Sequence, residues 1–260
     1  MKIALCQIRA LIKLSLLELY RRKDIVVVLI LGAVLLLPLS FVTPFGMSGA
    51  GIYFNEIALV MVWLFSILIA LGVSSRIFPH EFEKRTIYAL LAKPASRSVV
   101  LIGRYLGALT AAISALCIFY AAYTLLCGCK QGVWLSEVLL QAFILHVGLI
   151  AIIVALGIMG SLIMTSSANV TLTLLIVFGM LFFGGRLPAL AATQSLFAKT
   201  ILYTANVVAP HVEFFDMRQR LVHEWSAVSW LVCAAVMAYA VLYSAAVLLL
   251  ADFFLRRKRF

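Results

Sequence analysis

The chain is short of charge: only 12% of its 260 residues are Asp, Glu, Lys or Arg, and the acidic ones number 10 against 21 basic. Soluble domains carry roughly a quarter of their residues as charges. At half that level, with 65% of residues hydrophobic, a water-soluble fold would expose large adhesive patches. No Gly-x-x-x-x-Gly-Lys-Ser/Thr loop occurs, so this chain has no means of cradling a nucleotide phosphate. Membrane-enzyme motifs are missing too. His80-Glu81 is followed by Lys84 where a zinc pair needs His, and no Gly-x-Ser-x-Gly elbow is present. Cys6, Cys117, Cys127, Cys129 and Cys233 are scattered, mostly in apolar stretches, and imply no disulfide framework. Cys127-x-Cys129 has the softness for a metal ion, but Cys is as often an apolar filler, and no metal is expected. The net charge of +11 sits beside apolar runs rather than in a groove-sized patch with exposed aromatics; this disfavours nucleic acid and favours anionic lipid head groups.

What is present is a series of long uncharged runs. A hydrocarbon core of about 30 Å needs roughly 20 helical residues. Runs near 25–45, 56–78, 99–127 and 226–251 each fit one crossing, with Arg104 expected to snorkel. Val138 to Gly185 holds no Asp, Glu, Lys or Arg and is too long for one crossing. Its only cluster of small hydroxyl and amide residues, Thr165 to Asn169, breaks it into spans near 138–164 and 170–186. The expectation is an all-α polytopic membrane protein with six transmembrane helices, the first retained rather than cleaved. The apolar stretch Leu187 to Ala209 is rejected as a seventh span, because Lys199 would then lie in mid-bilayer at about 2.5 to 3.5 kcal/mol. Outer amphipathic or re-entrant helices are expected over 187–225 instead.

Basic residues set the orientation. They concentrate before the first span, between the second and third spans, and in the tail at 252–260, which ends Arg256-Arg-Lys-Arg259. These segments share one side, so both termini are expected in the cytoplasm of a bacterial inner or plasma membrane. Residues 1–24 read as an amphipathic cytoplasmic interface helix, with Lys2, Arg9 and Lys13 on one face and Gln7, Glu18 and Arg22 nearly opposite.

Between spans two and three, residues 80–93 read as a short cytoplasmic helix. Phe82, Ile87, Leu90 and Leu91 recur at helical spacing, and Glu81, Lys84 and Arg85 fall on another face. Pro94 stops the helix, and Ser96 or Ser98 can cap the next span. Gly103, Gly107, Ala111 and Ala115 repeat every four residues along the third span, a spacing that lets two helices approach closely. His146 is an ionisable residue inside the fourth span; a neutral imidazole satisfied by a neighbouring helix is the expected state.

The pattern Glu81-x-Glu83, Thr86-x-x-x-Leu90-Leu91, Lys93-Pro94-x-Ser96-Arg97 and Gly103-Arg104 resembles the second-to-third span connection of type-2 ABC transporter permeases, with Arg85 standing where members often have Gly. Pro210-His-Val-Glu-Phe-Phe-Asp216 is similar to a Pro-Asn-x-x-x-Phe-Asp segment between spans five and six of some members. The resemblance implies a permease subunit of an ABC exporter. It would work with a second permease copy and a separate ATPase subunit that binds ATP and Mg, with no cofactor in this chain. It further implies a coupling role for Glu81, Glu83, Lys84 and Arg85, and an outer gate at Pro210, Phe214, Phe215 and Asp216. A membrane scaffold or assembly factor, or an ATP-independent carrier, would use the same spans differently; a carrier would be expected to keep more paired charge at mid-membrane.

Overall fold

The computed structural model describes residues 50–83, 96–132, 134–192 and 195–257, and before residue 50 only Arg9, Ala10, Ile12, Lys13, Leu14, Leu17 and Ile30. The expected interface helix 1–24, the expected first span 25–45, and residues 84–93 of the expected coupling helix, Lys84 and Arg85 included, lie outside the described residues as continuous elements.

Among the described residues the fold is helical, with no strand. The long helices are α1 (Ala50–Ser74), α3 (Arg97–Gln131), α4 (Glu137–Ile163), α5 (Ser166–Phe183) and α9 (Trp230–Arg257). Between them stand the short helices α2 (Ile77–Glu83), α6 (Leu187–Ala192), α7 (Leu196–Val208) and α8 (Arg218–Val222), with 3-10 turns at Gly184–Arg186 and Val212–Phe215. Five helices are long and apolar enough to cross a membrane, where the sequence predicts six; the sixth falls on residues not described. The rejected seventh span is two helices, and α7, with 13 residues, is about 20 Å long, too short to cross.

Local chemistry places the ends. Ser96 accepts a hydrogen bond from the Val99 N–H at 3.3 Å and starts α3; Ser136 accepts from the Leu139 N–H at 3.2 Å and starts α4. The last span is displaced from its expected 226–251 because Gln141 of α4 clamps Val228 on both backbone groups, accepting from its N–H at 3.0 Å and donating to its carbonyl at 2.7 Å. That holds 226–229 out of the helix, which begins at Trp230 and runs on to Arg257.

α4 is apolar all round and is the central helix, in contact with α1, α2, α3, α5 and α9. Leu149, Ile150, Ile153 and Ile158 are fully buried along it. α9 buries one stripe, Cys233, Ala240, Ser244, Val247, Ala251 and Leu255, while Leu231, Leu242 and Leu249 stand outward. In lipid such outward leucines incur no transfer penalty, so helix association rests on close packing and interhelical hydrogen bonds. The α4–α5 hairpin shows both. Asn169 is buried, donates to the Gly157 carbonyl at 2.7 Å and accepts from the Thr173 hydroxyl at 3.3 Å. A Cβ on Gly160 would fall inside the Asn169 side chain, so glycine is required there. Asn169, expected only to help break the chain, is what ties the two helices.

Candidate functional site

We call the end of the bundle holding Glu81, Arg97 and Arg256 the basic end, and the other the far end. At the basic end, α1 turns at Ser75–Arg76 into α2, which presses on α4. Sequence periodicity groups Glu81 with Lys84 and Arg85 on one outward face; the structure instead buries Glu81, 4% exposed, in an ion pair with Arg104 of α3, itself 3% exposed. The reason is that α2 packs on α4 beside α3, where the buried Arg104 guanidinium takes the Glu81 carboxylate as its counter-charge. Arg104, expected to snorkel, is neutralised in place. Glu83 is exposed.

Where the described chain resumes, a second set of contacts anchors it. Arg97 Nη1 donates to the carbonyls of Leu255 and Arg256, each at 3.0 Å, satisfying acceptors that the end of α9 leaves open. The Ser98 hydroxyl donates to Asp252 Oδ1 at 2.9 Å, and Arg256 bonds both Asp252, at 2.8 Å, and Ser98, at 3.0 Å. Residues 84–95 are thus flanked by Glu81 of α2, which pairs with Arg104 of α3, and by Arg97 and Ser98 at the start of α3, which bond the end of α9. Sequence reading used Arg97 only as part of a motif, and the bond to α9 is a long-range contact with no local signal.

On α3 the small-residue stripe Gly103, Gly107, Ala111 and Ala115 is buried within the single chain, as are Tyr105 and Leu116 beside it.

At the far end, the segment after α7 folds back onto α4 and α9. Pro210, Val212, Phe215 and Met217 are buried. The His211 and Phe214 rings stack at 5.3 Å, and the Tyr239 hydroxyl of α9 accepts from the His211 N–H at 3.0 Å. Phe215 reaches α4 at Gly148, where a Cβ would come within 2.9 Å of its ring and 2.8 Å of the Met237 sulfur. Asp216 pairs with Arg218 through three bonds: Nη2 at 2.7 Å, Nε at 2.8 Å and the backbone N–H at 3.1 Å. Burial alone would raise the Asp216 carboxyl, but these bonds and the Arg218 charge hold it below the ordinary carboxylate value. The four expected gate residues are therefore together, at the point where this segment meets the bundle.

Arg218, which sequence reading did not single out, carries the charge inward: its guanidinium lies 4.7 Å from the centre of the Trp63 ring, at a small cavity that His146 and Tyr120 also line. The Ser66 hydroxyl gives its one proton to the Trp63 carbonyl at 2.8 Å, so its oxygen must accept from His146 Nε2 at 2.7 Å. Nδ1 lies 3.3 Å from the Tyr120 phenol oxygen. Both ring nitrogens of His146 thus have hydrogen-bond partners on neighbouring helices. Cys127 is buried, with its thiol 3.5 Å from Asn55 Oδ1, while Cys129 is exposed; the pair does not converge. Among the described residues no three His, Cys, Asp or Glu side chains gather to hold a metal.

Residues 39–258 match the family described as ABC-2 family transporter protein. No curated protein matches the chain. The matched region takes in all five long helices, the bracketed segment 84–95 and the far-end fold-back. The chain belongs to the ABC-2 transporter family and is a multi-pass membrane permease of an ABC transporter.

Proposed function

We propose that this permease is an exporter subunit driven by a separate ATPase that docks on residues 80–95, both termini lying on the same, cytoplasmic side. The observation that supports it most is the bracketing of that segment. A push delivered there reaches α3 at both ends of the segment, through Glu81 and Arg104 and through Arg97 and Ser98, and the bonds of Arg97 and Ser98 to α9 carry α9 with it, so a local displacement moves two spans together against the rest of the bundle. Family members generally pair with an ABC ATPase subunit. Glu83, Lys84 and Arg85 are the proposed docking contacts; Glu81 takes the role of positioning the segment rather than touching the partner. The Phe214–Asp216 fold-back serves as the outer closure, and a second permease copy completes the path.

The test is co-purification of the ATPase subunit with a Lys84→Glu, Arg85→Glu variant and with Glu83→Ala. Charge reversal is expected to abolish stoichiometric ATPase binding while the permease stays inserted and monodisperse in detergent. Full ATPase binding by the charge-reversed variant would remove this segment as the docking element.

A further inference from the structure

A cavity of about 300 Å³ opens at the far end, among the start of α1, the end of α3, residues 134–139 and α8. Its walls include Asn55, Tyr123, Trp134 and Trp225, with Arg220 and Glu224. That volume sits at the lower bound for a small-molecule site. The two charges are differently held. Arg220 Nη1 is fixed on the Ser226 carbonyl at 3.0 Å, with further N–H groups in the same plane to donate. Glu224 has no cationic partner among the described residues.

Glu224 also stands in an unusual backbone state. The Trp225 N–H bonds the Arg220 carbonyl at 3.0 Å, which closes α8 in a Schellman turn and places Glu224 at the left-handed position, φ 52°. Glycine is the ordinary residue there, since a side chain at positive φ is strained. Among the described residues Glu224 is the one non-glycine with positive φ. Strain of this kind persists where the side chain has work to do. Here it carries a carboxylate to the edge of a cavity walled by Tyr123, Trp134 and Trp225, and such a combination favours an ammonium group.

We propose that this cavity binds the headgroup of a zwitterionic phospholipid, Arg220 taking the phosphodiester and Glu224 with its aromatic neighbours taking the ammonium. A lipid is favoured over a soluble zwitterion by the surface alongside: Leu125 and Leu135 next to the lining residues are 57% and 78% exposed and offer acyl chains an apolar track. Tryptophans at this level are also the residues that sit at a bilayer's headgroup boundary. The site does not depend on the ATPase reading.

The experiment is native mass spectrometry of the intact chain in detergent, titrated with dioleoyl-phosphatidylethanolamine or dioleoyl-phosphatidylglycerol, which share the phosphodiester and differ in the cation. Wild type is expected to retain the ethanolamine lipid roughly tenfold better, the scale of one charge-assisted contact. Glu224→Gln should erase that preference and Arg220→Gln should weaken both lipids. Glu224→Gly should erase the preference while keeping or raising thermal stability, a combination that a purely structural glutamate would not give. Equal retention of the two lipids by wild type, or a preference that survives Glu224→Gln and Glu224→Gly, overturns the proposal. So does displacement of the lipid by an equal concentration of glycerophosphoethanolamine, which would make the ligand a soluble compound.

Discussion

Glu81→Ala leaves the Arg104 guanidinium buried at the basic end without its carboxylate. Both side chains are nearly sealed, 5% and 4% exposed, so solvent screening discounts the effect little. Removing one member of a buried pair typically costs about 3 to 5 kcal/mol, because the remaining charge stays desolvated with its counter-charge gone. At roughly 2 to 4 °C per kcal/mol for a chain of this size, the melting temperature in detergent should fall by about 10 °C. Glu83→Ala, two residues on and exposed, should change it by less than about 2 °C, since exposed charges contribute under about 0.5 kcal/mol. Glu81→Leu with Arg104→Leu together removes both charges and should lie near wild type, whereas each single Leu replacement should be destabilised. Differential scanning fluorimetry of wild type with Glu81→Leu, Arg104→Leu and the double replacement gives the coupling energy, and Glu81→Ala and Glu83→Ala are melted beside them. If Glu81→Ala melts with Glu83→Ala, or if the double replacement is as unstable as the single, the pair is not holding α2 on α3, and the bracketing of residues 84–95 fails with it.

Gly148→Ala should destabilise by about 1 to 3 kcal/mol, because its methyl would press on the Phe215 ring and the Met237 sulfur, and Phe215→Ala should restore part of the loss; additivity of the two would refute the contact. Asp216 has a lowered folded-state pKa, so its contribution is complete above the unfolded carboxyl value and is lost as pH falls through the folded value. Wild type and Asp216→Asn should therefore differ in thermal stability by a constant amount above about pH 4 and converge only as pH falls below it, and a difference that does not shrink below about pH 4 would refute the pairing. Arg97→Ala should retain ATPase-subunit binding yet lower substrate-stimulated ATP hydrolysis, with partial rescue by Arg97→Lys; unchanged stimulation would free α9 from the coupling path. Epitope tags at the start and after Phe260 should both be protected from external protease while a tag at Thr193 is cut, and a protected Thr193 tag would undo the assignment of sides.

The apolar runs by themselves determined that this is a helical membrane protein, because the length of a crossing is fixed by the bilayer and charge is costly inside it; the helix ends were set by contacts such as the Gln141 clamp on Val228. The break at Thr165–Asn169 was legible for the same reason: an uncharged run too long to cross once must turn, and hydroxyl and amide residues mark where. The family was legible in the motif around residues 81–104, and Pro210, Phe214, Phe215 and Asp216 stand together as one short stretch. Which way each charged side chain turns was not. Glu81 obeys the helical periodicity that groups it with Lys84 and Arg85, yet it is buried because Arg104, 23 residues along the chain, needs a counter-charge on α2. Arg97 finds the end of α9, Gln141 clamps Val228, and Arg218 lies over Trp63 across separations that no local spacing encodes. Periodicity reports only which residues share a face; what that face meets, and hence whether a charge docks a partner, closes a gate or neutralises its neighbour, is decided by the tertiary packing of the helices.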